Sequence, residues 1–357
     1  MKEIEALLRT SIRDMRPLPY ASQDRWLLPL DQNTNLMGPN PVVRKALAKW
    51  DGDLTQYPTH SAIPLRNALG RYWKVEPDQV IVGNGSDEVF DILCKTFLNP
   101  GERAAYVSPG FVMYGWYARI NAATPVAVPL RPDFSLDVPA LLRARAKMIF
   151  LCNPNNPTAN LFDRADILRI LGETKGLVVL DEAYADFSAS DWTPELRNHR
   201  NLVLVRTFSK AFGLAGLRVG YAMAHRDLAV RMAAVKPPFN VGGIDERIAV
   251  AALADPSFRD RTVRTVLAER PKVAKALRAL RIHVFPSDAN FLLLRTPFPA
   301  GDVVEAFRKA DILVRDMAKY ARLDNCIRVT VGPPAVNRMF LRTFEEILQV
   351  FAAYHRR

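Results

Sequence analysis

Short apolar runs recur seven times between residues 79 and 224, and segments with helical patterning separate several of them. Their length and branched residues predict buried strands at 79–82, 104–107, 124–129, 148–151, 177–180, 202–205 and 220–224. Helical spacing predicts helices at 86–98, 111–121, 164–173 and 228–235. Because buried strands that alternate with helices form parallel sheets covered on both faces, the pattern predicts an α/β fold with a mainly parallel, doubly wound sheet.

A different pattern follows the proline-containing segment at residues 236–240. It predicts helical structure from about 244 to 281, strands at 283–285, 290–295, 313–315 and 326–331, and a terminal helix at 337–354. At the other end, Ile4, Leu7, Leu8 and Ile12 predict a short amphipathic helix, which a proline-containing arm follows. We therefore predict a large domain at 36–243, a smaller α+β domain at 244–357, and an arm at 1–35 that joins the small domain.

Composition narrows the classes of function. Of the 357 residues, 49% are hydrophobic and 24% are charged, which is typical of a soluble globular protein. The net charge of +12 is spread along the chain, so we interpret it as a solvated surface rather than a nucleic-acid interface. The three cysteines and five histidines lack the spacing of metal ligands. No apolar run reaches a membrane span and the N-terminus lacks a signal-peptide pattern, so we predict a cytoplasmic protein without membrane partners.

One lysine lies in surroundings that suit covalent chemistry. Lys210 follows the predicted strand at 202–205, in a segment that reads TFSKAFGLAGLR from residue 207 to 218. Desolvation among such small and apolar residues favours the neutral, nucleophilic amine that forms a Schiff base. Thr207, Ser209 and Arg218 supply hydroxyls and a guanidinium, which suit a phosphate. A phosphate-bearing carbonyl compound held by lysine describes pyridoxal phosphate; the alternative is a lysine that merely closes a strand-to-helix turn.

Two further loops follow predicted strands. Asp181 ends the strand at 177–180, and a carboxylate at the carboxyl end of a parallel strand faces the ligand crevice. There it would pair with a pyridinium nitrogen, whereas the alternative is an aspartate that only starts a loop. Asn156 belongs to a loop that two prolines make rigid. Such a loop either holds the Asn156 amide against a cofactor and substrate or serves as a plain turn.

Two other motifs suit anions. Gly85, Ser86 and Asp87 lie between a predicted strand and a predicted helix, where free backbone amides form an anion site. The surrounding residues lack the patterns of a dinucleotide site or a P-loop. Arg328 alternates with apolar residues in the predicted strand at 326–331. It therefore either points to solvent or clamps a carboxylate or phosphate.

Four features follow one another along the chain: the Asn-Pro loop, Asp181, the Ser209-Lys210 pair and the late Arg328. With these features in this order, the chain resembles the fold-type I aminotransferases that use pyridoxal phosphate. From about Arg16 onward, the chain is most similar to the histidinol-phosphate aminotransferases of that family. The resemblance implies an aspartate aminotransferase-like fold, pyridoxal phosphate as cofactor, and a homodimer with shared active sites. It implies amino transfer between a small-molecule donor, with histidinol phosphate as first choice, and 2-oxoglutarate. It leaves open an aminotransferase for aromatic or other amino acids, and a lyase such as a threonine-phosphate decarboxylase.

The resemblance also implies roles by position. Lys210, Asp181 and Tyr184 would be catalytic: the lysine joins the cofactor, the aspartate holds its ring nitrogen, and the tyrosine bonds its ring hydroxyl together with Asn156. Other cofactor contacts would come from Gly85, Ser86, Asp87, Phe111, Thr207, Ser209, Arg218 and, from a neighbouring subunit, Tyr57. The substrate would meet Tyr20, Asn156, Arg315 and Arg328. Thr34, Leu36 and Thr59 depart from the family's pattern, which leaves the identity of the substrate open.

Overall fold

A large, mostly parallel sheet organises the first two thirds of the chain. The computed structural model describes residues 7–16, 27–50 and 52–354. Its strands are β1 (Leu28–Pro29), β2 (Val80–Asn84), β3 (Arg103–Ser108), β4 (Thr124–Pro129), β5 (Met148–Cys152), β6 (Leu177–Asp181), β7 (Leu202–Thr207), β8 (Val219–Ala224), β9 (His283–Val284), β10 (Phe291–Arg295), β11 (Ile312–Leu313), β12 (Arg315–Asp316) and β13 (Cys326–Thr330). The large sheet has the order β2-β8-β7-β6-β5-β3-β4, and β8 alone runs antiparallel to its neighbours in it.

Helices cover both faces of this sheet. The helices are α1 (Pro41–Ala48), α2 (Ile63–Trp73), α3 (Gly85–Phe97), α4 (Met113–Ile120), α5 (Val138–Arg143), α6 (Arg164–Glu173), α7 (Arg226–Val235), α8 (Gly243–Ala254), α9 (Ser257–Ala279), α10 (Ala300–Lys309) and α11 (Pro334–Tyr354). Side chains of β5 alternate between two buried clusters, with Met148 and Phe150 in one and Ile149 and Leu151 in the other. Two buried faces explain the continuous apolar runs of the sequence and confirm the predicted doubly wound arrangement.

A smaller antiparallel sheet follows in the C-terminal part of the chain. Its strands lie in the order β12-β13-β10-β9. The helices α9 and α11 pack on each other, and Phe307 of α10 stacks on Phe340 of α11 with ring centroids 5.3 Å apart. This sheet with its helices confirms the predicted smaller α+β unit. Within the described residues, no helix combines the length and the hydropathy needed to cross a bilayer.

The N-terminal arm contacts both parts of the chain. β1 pairs in parallel with β11, so the segment after residue 27 lies against the C-terminal part. Of the predicted first helix, Ile4 lies outside the described residues, and Thr10–Ile12 form a 3-10 turn that lies against α4. Helix α8 packs on α1 and α2, at the junction of the two predicted domains. The predicted division after residues 35 and 243 stays a prediction.

Two predicted elements of the C-terminal half are wrong in their extent. The single helical region predicted at 244–281 divides into α8 and α9, because Asp255 leaves the helical conformation before Pro256 (φ −126°, ψ 83°). The single strand predicted at 313–315 is two short strands on either side of Val314. One of them, β11, pairs with β1, whereas the other, β12, pairs with β13.

Candidate active site

A cavity of about 220 Å³ lies beyond the carboxyl ends of β5, β6 and β7. This is the edge at which open α/β sheets bind ligands. Of the residues predicted to contact a cofactor, the cavity wall contains Ser86, Asp87, Phe111, Asn156, Asp181, Tyr184, Thr207, Ser209, Lys210 and Arg218. Residues that lie up to 132 positions apart in the sequence therefore meet around one small volume.

Lys210 follows β7 and extends its amine into this cavity. Its Nζ donates a hydrogen bond to the backbone carbonyl of Gln32 at 3.0 Å and lies 5.7 Å from the ring centroid of Tyr184. Burial and, to a smaller extent, the nearby positive charge of Arg328 together lower the pKa of Lys210 to about 8, whereas Asp181 opposes the shift. An amine with this pKa is neutral in about one tenth of molecules at pH 7, far more than an ordinary lysine, and the neutral form is the nucleophile.

Asp181 ends β6 and is buried. Its Oδ1 accepts a hydrogen bond from the backbone N–H of Ala183 at 3.0 Å, and its Oδ2 accepts one from the hydroxyl of Tyr114 at 2.6 Å. Burial raises the pKa of Asp181 to about 6, and these two donors limit the rise because they stabilise the carboxylate. With that pKa the group is about nine-tenths ionised at pH 7.

A chain of hydrogen bonds joins the cavity to the C-terminal sheet. The hydroxyl of Tyr184 accepts from the side-chain amides of Asn33 at 3.1 Å and Asn156 at 3.4 Å. Nη1 of Arg328 donates to Oδ1 of Asn156 at 2.6 Å. Arg328 is buried in β13, which rules out the solvent-facing alternative, and its Nε has no hydrogen-bond partner among the described residues. A buried guanidinium N–H without a partner fits a site that binds an anionic ligand group.

The start of α3 forms the opposite end of the cavity. Asn84 makes no side-chain bond that caps this helix, so the backbone N–H groups at its first turn stay free for a ligand. Nη2 of Arg218 lies 3.1 Å from Oδ2 of Asp87, and Oγ1 of Thr207 donates to Oγ of Ser209 at 2.9 Å. Two hydroxyls, a guanidinium and a helix N-terminus suit the three oxygens of a phosphate.

Two glycines allow close packing at the end of the cavity where the start of α3, Thr207, Ser209 and Arg218 suit a phosphate. Gly85 has a φ of +76°, and a Cβ built on it would lie 2.4 Å from Nη2 of Arg218. A Cβ on Gly220 of β8 would lie 2.2 Å from the backbone nitrogen of Ser86. The donor sets at the two ends, with the Lys210 amine between them, fit pyridoxal phosphate: one end takes its phosphate and the carboxylate of the other end takes its ring nitrogen.

Of the predicted site residues that the structure describes, Gly85, Tyr57, Arg315 and Arg328 are not part of the cavity wall. Tyr57 is 81% exposed, stacks on Phe239 with ring centroids 4.8 Å apart, and lines a separate surface groove of about 640 Å³. Arg315 is half-buried in β12, directly opposite Arg328 of β13 in the register of the sheet. Tyr20 lies outside the described residues. The larger groove contains neither the lysine nor the aspartate that chemistry requires, so the smaller cavity is the candidate active site.

Sequence reasoning missed several residues of this site. It assigned no role to Gln32, Asn33 or Cys152, although Gln32 and Cys152 line the cavity and Asn33 bonds Tyr184. It also missed Tyr114, whose hydroxyl lies on Asp181 from outside the cavity. A buried tyrosine on the inner face of the predicted helix at 111–121 was a usable signal, because a buried hydroxyl needs a partner.

Comparisons with known proteins agree with this geometry. The family model for aminotransferase class I and II matches residues 26–344. A histidinol-phosphate aminotransferase from Thermoanaerobacter pseudethanolicus is 38% identical over 97% of this chain and 99% of that protein. Another from Thermococcus gammatolerans is 40% identical over 294 residues, with 82% and 83% covered.

Solved structures have the same fold. The histidinol-phosphate aminotransferase from Sinorhizobium meliloti in complex with pyridoxal-5'-phosphate superposes with a TM-score of 0.86, at 23% identity over 96% of this chain and 98% of that one. The L-threonine-O-3-phosphate decarboxylase from Porphyromonas gingivalis superposes with a TM-score of 0.80, at 27% identity over 90% of this chain and 100% of that one. Both likenesses confirm the predicted fold class.

Proposed function

Because the chain belongs to the class I and II aminotransferases, we propose that it transfers amino groups with pyridoxal phosphate held covalently by Lys210. The observation that carries the proposal is that a lysine with a pKa lowered to about 8 and the buried carboxylate of Asp181 line one cavity. The neutral amine is a nucleophile for an aldehyde, and the carboxylate is a partner for a protonated ring nitrogen.

The side chains divide the work of the reaction. When bound, pyridoxal phosphate supplies a protonated ring that withdraws electrons from the substrate's α-carbon. Asp181 accepts the hydrogen bond of the ring nitrogen and, as a carboxylate, favours its protonated form. The free amine of Lys210 would accept the α-proton of the amino donor at its Nζ and would later return a proton to the second substrate. Arg328 binds the substrate's carboxylate or phosphate through its free Nε–H and holds Asn156 through Nη1.

We propose histidinol phosphate as the amino donor and 2-oxoglutarate as the acceptor. The support is the 38% identity to a histidinol-phosphate aminotransferase over 97% of the chain. Arg315 and Arg328 lie opposite each other on neighbouring strands, and two guanidiniums in that position suit a doubly charged phosphate. Tyr20 completes the proposed substrate set by its position in the sequence. The departures at Thr34, Leu36 and Thr59 make a direct substrate comparison necessary.

A trapping experiment and a substrate panel test the proposal. The purified chain is incubated with pyridoxal phosphate, reduced with borohydride and digested, and the adduct is expected on the peptide that contains Lys210. Lys236 is an internal control, because it is also buried with a pKa lowered by desolvation but lies away from Asp181 and bonds Asn240. Transfer to 2-oxoglutarate is then measured from histidinol phosphate, phenylalanine and aspartate. An adduct on Lys236 alone, or no adduct, would refute the role of Lys210.

A second candidate function is a pyridoxal-phosphate lyase for a phosphorylated amino acid. The likeness to the L-threonine-O-3-phosphate decarboxylase of Porphyromonas gingivalis, at 27% identity, favours it. The same cavity serves both reactions, because both begin with an amine on the cofactor and an anion at Arg328. Release of carbon dioxide from threonine phosphate without formation of a keto acid would support the lyase. Formation of glutamate from 2-oxoglutarate would support the transferase.

We propose that the chain acts as a homodimer whose active sites are shared. The support is the exposure of apolar and aromatic side chains around Tyr57: Leu54 is 72% exposed, Tyr57 81% and Phe239 42%. Exposed aromatic side chains are typical of protein interfaces. Tyr57 does not line the cavity of its own chain, which leaves it free to reach the phosphate site of a partner subunit.

Mixed dimers test this arrangement. A Tyr57→Ala chain and a Lys210→Ala chain are co-expressed with different tags, and the mixed dimer is purified. If Tyr57 serves the partner's site, one of the two sites combines an intact lysine with an intact tyrosine, and about half of the wild-type activity returns. If Tyr57 serves its own site, the mixed dimer has one site without the tyrosine and one without the lysine, and activity stays as low as in the single variants. Light scattering gives the mass of the wild-type assembly.

We also propose a cytoplasmic location. The three cysteines, Cys94, Cys152 and Cys326, are free and buried, as is usual for proteins of a reducing compartment. Cell fractionation with antibodies against the chain tests the location. The predicted division into an arm at 1–35, a domain at 36–243 and a domain at 244–357 is proposed as well, and limited proteolysis with mass mapping of the fragments tests it.

A further inference from the structure

Asp181 has a hydrogen-bond donor that lies outside the cavity. The hydroxyl of Tyr114 donates to Oδ2 of Asp181 at 2.6 Å, although the two residues are 67 positions apart and belong to α4 and β6. Tyr114 is only 1% exposed and does not line the cavity. Because Ala183 supplies the donor to Oδ1, both oxygens of the carboxylate are fixed by the protein. Each oxygen keeps a second lone pair for a ligand.

Aromatic rings hold Tyr114 in place. Its ring stacks on that of Phe150 with centroids 5.0 Å apart and an interplanar angle of 3°. Phe90 meets it edge-on at 5.1 Å, and Phe111, which lines the cavity, does so at 5.4 Å. A ring packed on three sides has no freedom to withdraw its hydroxyl from Asp181, so this bond is a fixed part of the site.

The charges around Asp181 give this bond its importance. Burial disfavours the carboxylate, and the negative charge of Asp87 adds to that effect, whereas Lys210 favours the carboxylate. The thiol of Cys152 also lies beside the pair, and it stays uncharged because burial raises its pKa. Tyr114 itself stays protonated, since burial and Asp181 raise its pKa well above the ordinary value. Tyr114 therefore keeps its proton and can donate it in a hydrogen bond wherever Asp181 is ionised.

We propose that Tyr114 is a positioning residue that keeps the carboxylate of Asp181 ionised and oriented toward the cavity, where it accepts the ring N–H of pyridoxal phosphate. This inference depends on the proposed function for its catalytic consequence. Its structural part, the stabilisation of the Asp181 carboxylate by Tyr114, holds in the cofactor-free protein as well. Proton sharing between Asp181 and the ring nitrogen then depends on a group that touches neither cofactor nor substrate.

The first test uses the cofactor-free protein. Tyr114→Phe removes the hydroxyl and keeps the ring, and Tyr221→Phe is its matched control. Tyr221 is equally buried, and its hydroxyl accepts from Nε1 of Trp73 at 2.8 Å, away from the cavity. The carboxyl signal of Asp181 is titrated by infrared difference spectroscopy and assigned by its loss in Asp181→Asn. A bond to a charged group shifts a pKa by about one to two units, so we expect the pKa of Asp181 to rise by that amount in Tyr114→Phe only.

The second test uses the cofactor-loaded protein. Pyridoxal phosphate labelled with ¹⁵N in the ring reports by NMR whether the ring nitrogen is protonated. In Tyr114→Phe we expect its signal at pH 7 to move toward that of Asp181→Asn, and kcat to fall about ten- to a hundredfold with little change in KM. Tyr221→Phe is expected to match the wild type in both. Replacing Tyr114 by difluorotyrosine, which keeps the shape and donates more strongly, is expected to lower the pKa of Asp181.

The outcomes separate the inference from the proposed function. A wild-type chain that takes up no pyridoxal phosphate refutes the function, while the infrared titration still decides the structural part. A Tyr114→Phe chain that binds the cofactor with a wild-type pKa of Asp181 and a wild-type ¹⁵N signal overturns the inference. If Tyr114→Phe fails to fold, the difluorotyrosine chain decides: an unchanged pKa of Asp181 overturns the inference, and a lowered one supports it.

Discussion

The phosphate-binding end of the site is tested most directly by Gly85→Ala, with Gly101→Ala as its matched control. Both glycines lie in the left-handed region, with φ of +76° and +80°. Alanine in that region costs about 1–2 kcal/mol at either position. A Cβ at Gly101 meets nothing within 4 Å, whereas a Cβ at Gly85 would lie 2.4 Å from Nη2 of Arg218. The pair therefore separates backbone strain from displacement of the guanidinium.

The two costs have different readouts. A chain of 357 residues unfolds with roughly 0.75 kcal/mol of entropy per kelvin, so the backbone strain lowers the unfolding midpoint by about 1–3 °C in both variants. In Gly85→Ala, Arg218 must also move its Nη2 away from the position next to Asp87. Loss of one charge-assisted bond to a phosphate costs about 1.5–3 kcal/mol, which corresponds to a loss of about ten- to 150-fold in cofactor affinity.

The assay compares two ligands. Each cofactor-free variant is titrated with pyridoxal phosphate and with pyridoxal, which lacks the phosphate, and the absorbance of the lysine adduct is followed. We expect Gly85→Ala to bind pyridoxal phosphate at least tenfold more weakly than Gly101→Ala and to bind pyridoxal equally well. Equal affinities of the two variants for pyridoxal phosphate, or an equal loss for pyridoxal, would refute the assignment of Arg218 and α3 to the phosphate.

Three further predictions concern buried charges. Because burial lowers the pKa of Lys210 to about 8, the folded chain binds this proton less tightly than the unfolded chain. Lys210→Met is therefore expected to stabilise the cofactor-free protein by up to about 3 kcal/mol at pH 7, and this gain vanishes as the pH rises from 8 to 10.5. An unchanged unfolding midpoint at pH 7 would contradict this prediction. For the same reason, the rate of covalent capture of pyridoxal phosphate is expected to rise about tenfold for each pH unit below 8 and to level off above it, whereas a rise that continues to pH 10 would show an ordinary lysine. Arg206→Leu leaves Glu182, its buried partner at 2.9 Å, without a counter-charge and is expected to lower the free energy of unfolding by about 3–5 kcal/mol. The control Arg169→Leu breaks an exposed pair on α6 and is expected to lower it by less than about 1 kcal/mol. Similar losses in both variants would contradict the role of burial.

The sheet was predictable from the sequence because its signal is local. The central strands of the large sheet are runs of apolar residues buried on two faces, and the predicted segments match β2 to β8 with ends that shift by at most two residues. The prediction of a buried strand at 124–129 is wrong in its burial, because β4 lies at the edge of the sheet and most of its residues are exposed. The start of α3 at Gly85 was predictable for the same reason, since glycine and capping residues occur where a strand gives way to a helix. Asp181, which ends β6, and Lys210, which follows the end of β7, were found partly through this placement.

Long-range pairing was not predictable, because no local pattern encodes it. The residues at 313–315 have the composition of one strand. In the structure, however, β11 pairs with β1 and β12 pairs with β13, and these two partner strands lie more than 280 positions apart in the sequence. The bond from Tyr114 to Asp181 spans 67 positions and has no motif. The position of Arg328 was predicted but not its burial, since alternation in a strand is equally compatible with solvent on one face.

The hydrogen bond from Nζ of Lys210 to the carbonyl of Gln32 has a consequence for entry into the site. Each time the amine engages another atom, that carbonyl loses its donor and must turn to water or to a new neighbour. The segment around Gln32 runs from β1, which is anchored to β11, to Asn33, which bonds Tyr184. This segment is held at both ends and loses its central contact whenever Lys210 bonds another atom. Occupancy of the lysine is therefore linked, through the carbonyl oxygen of Gln32, to the packing of the segment that lines the cavity.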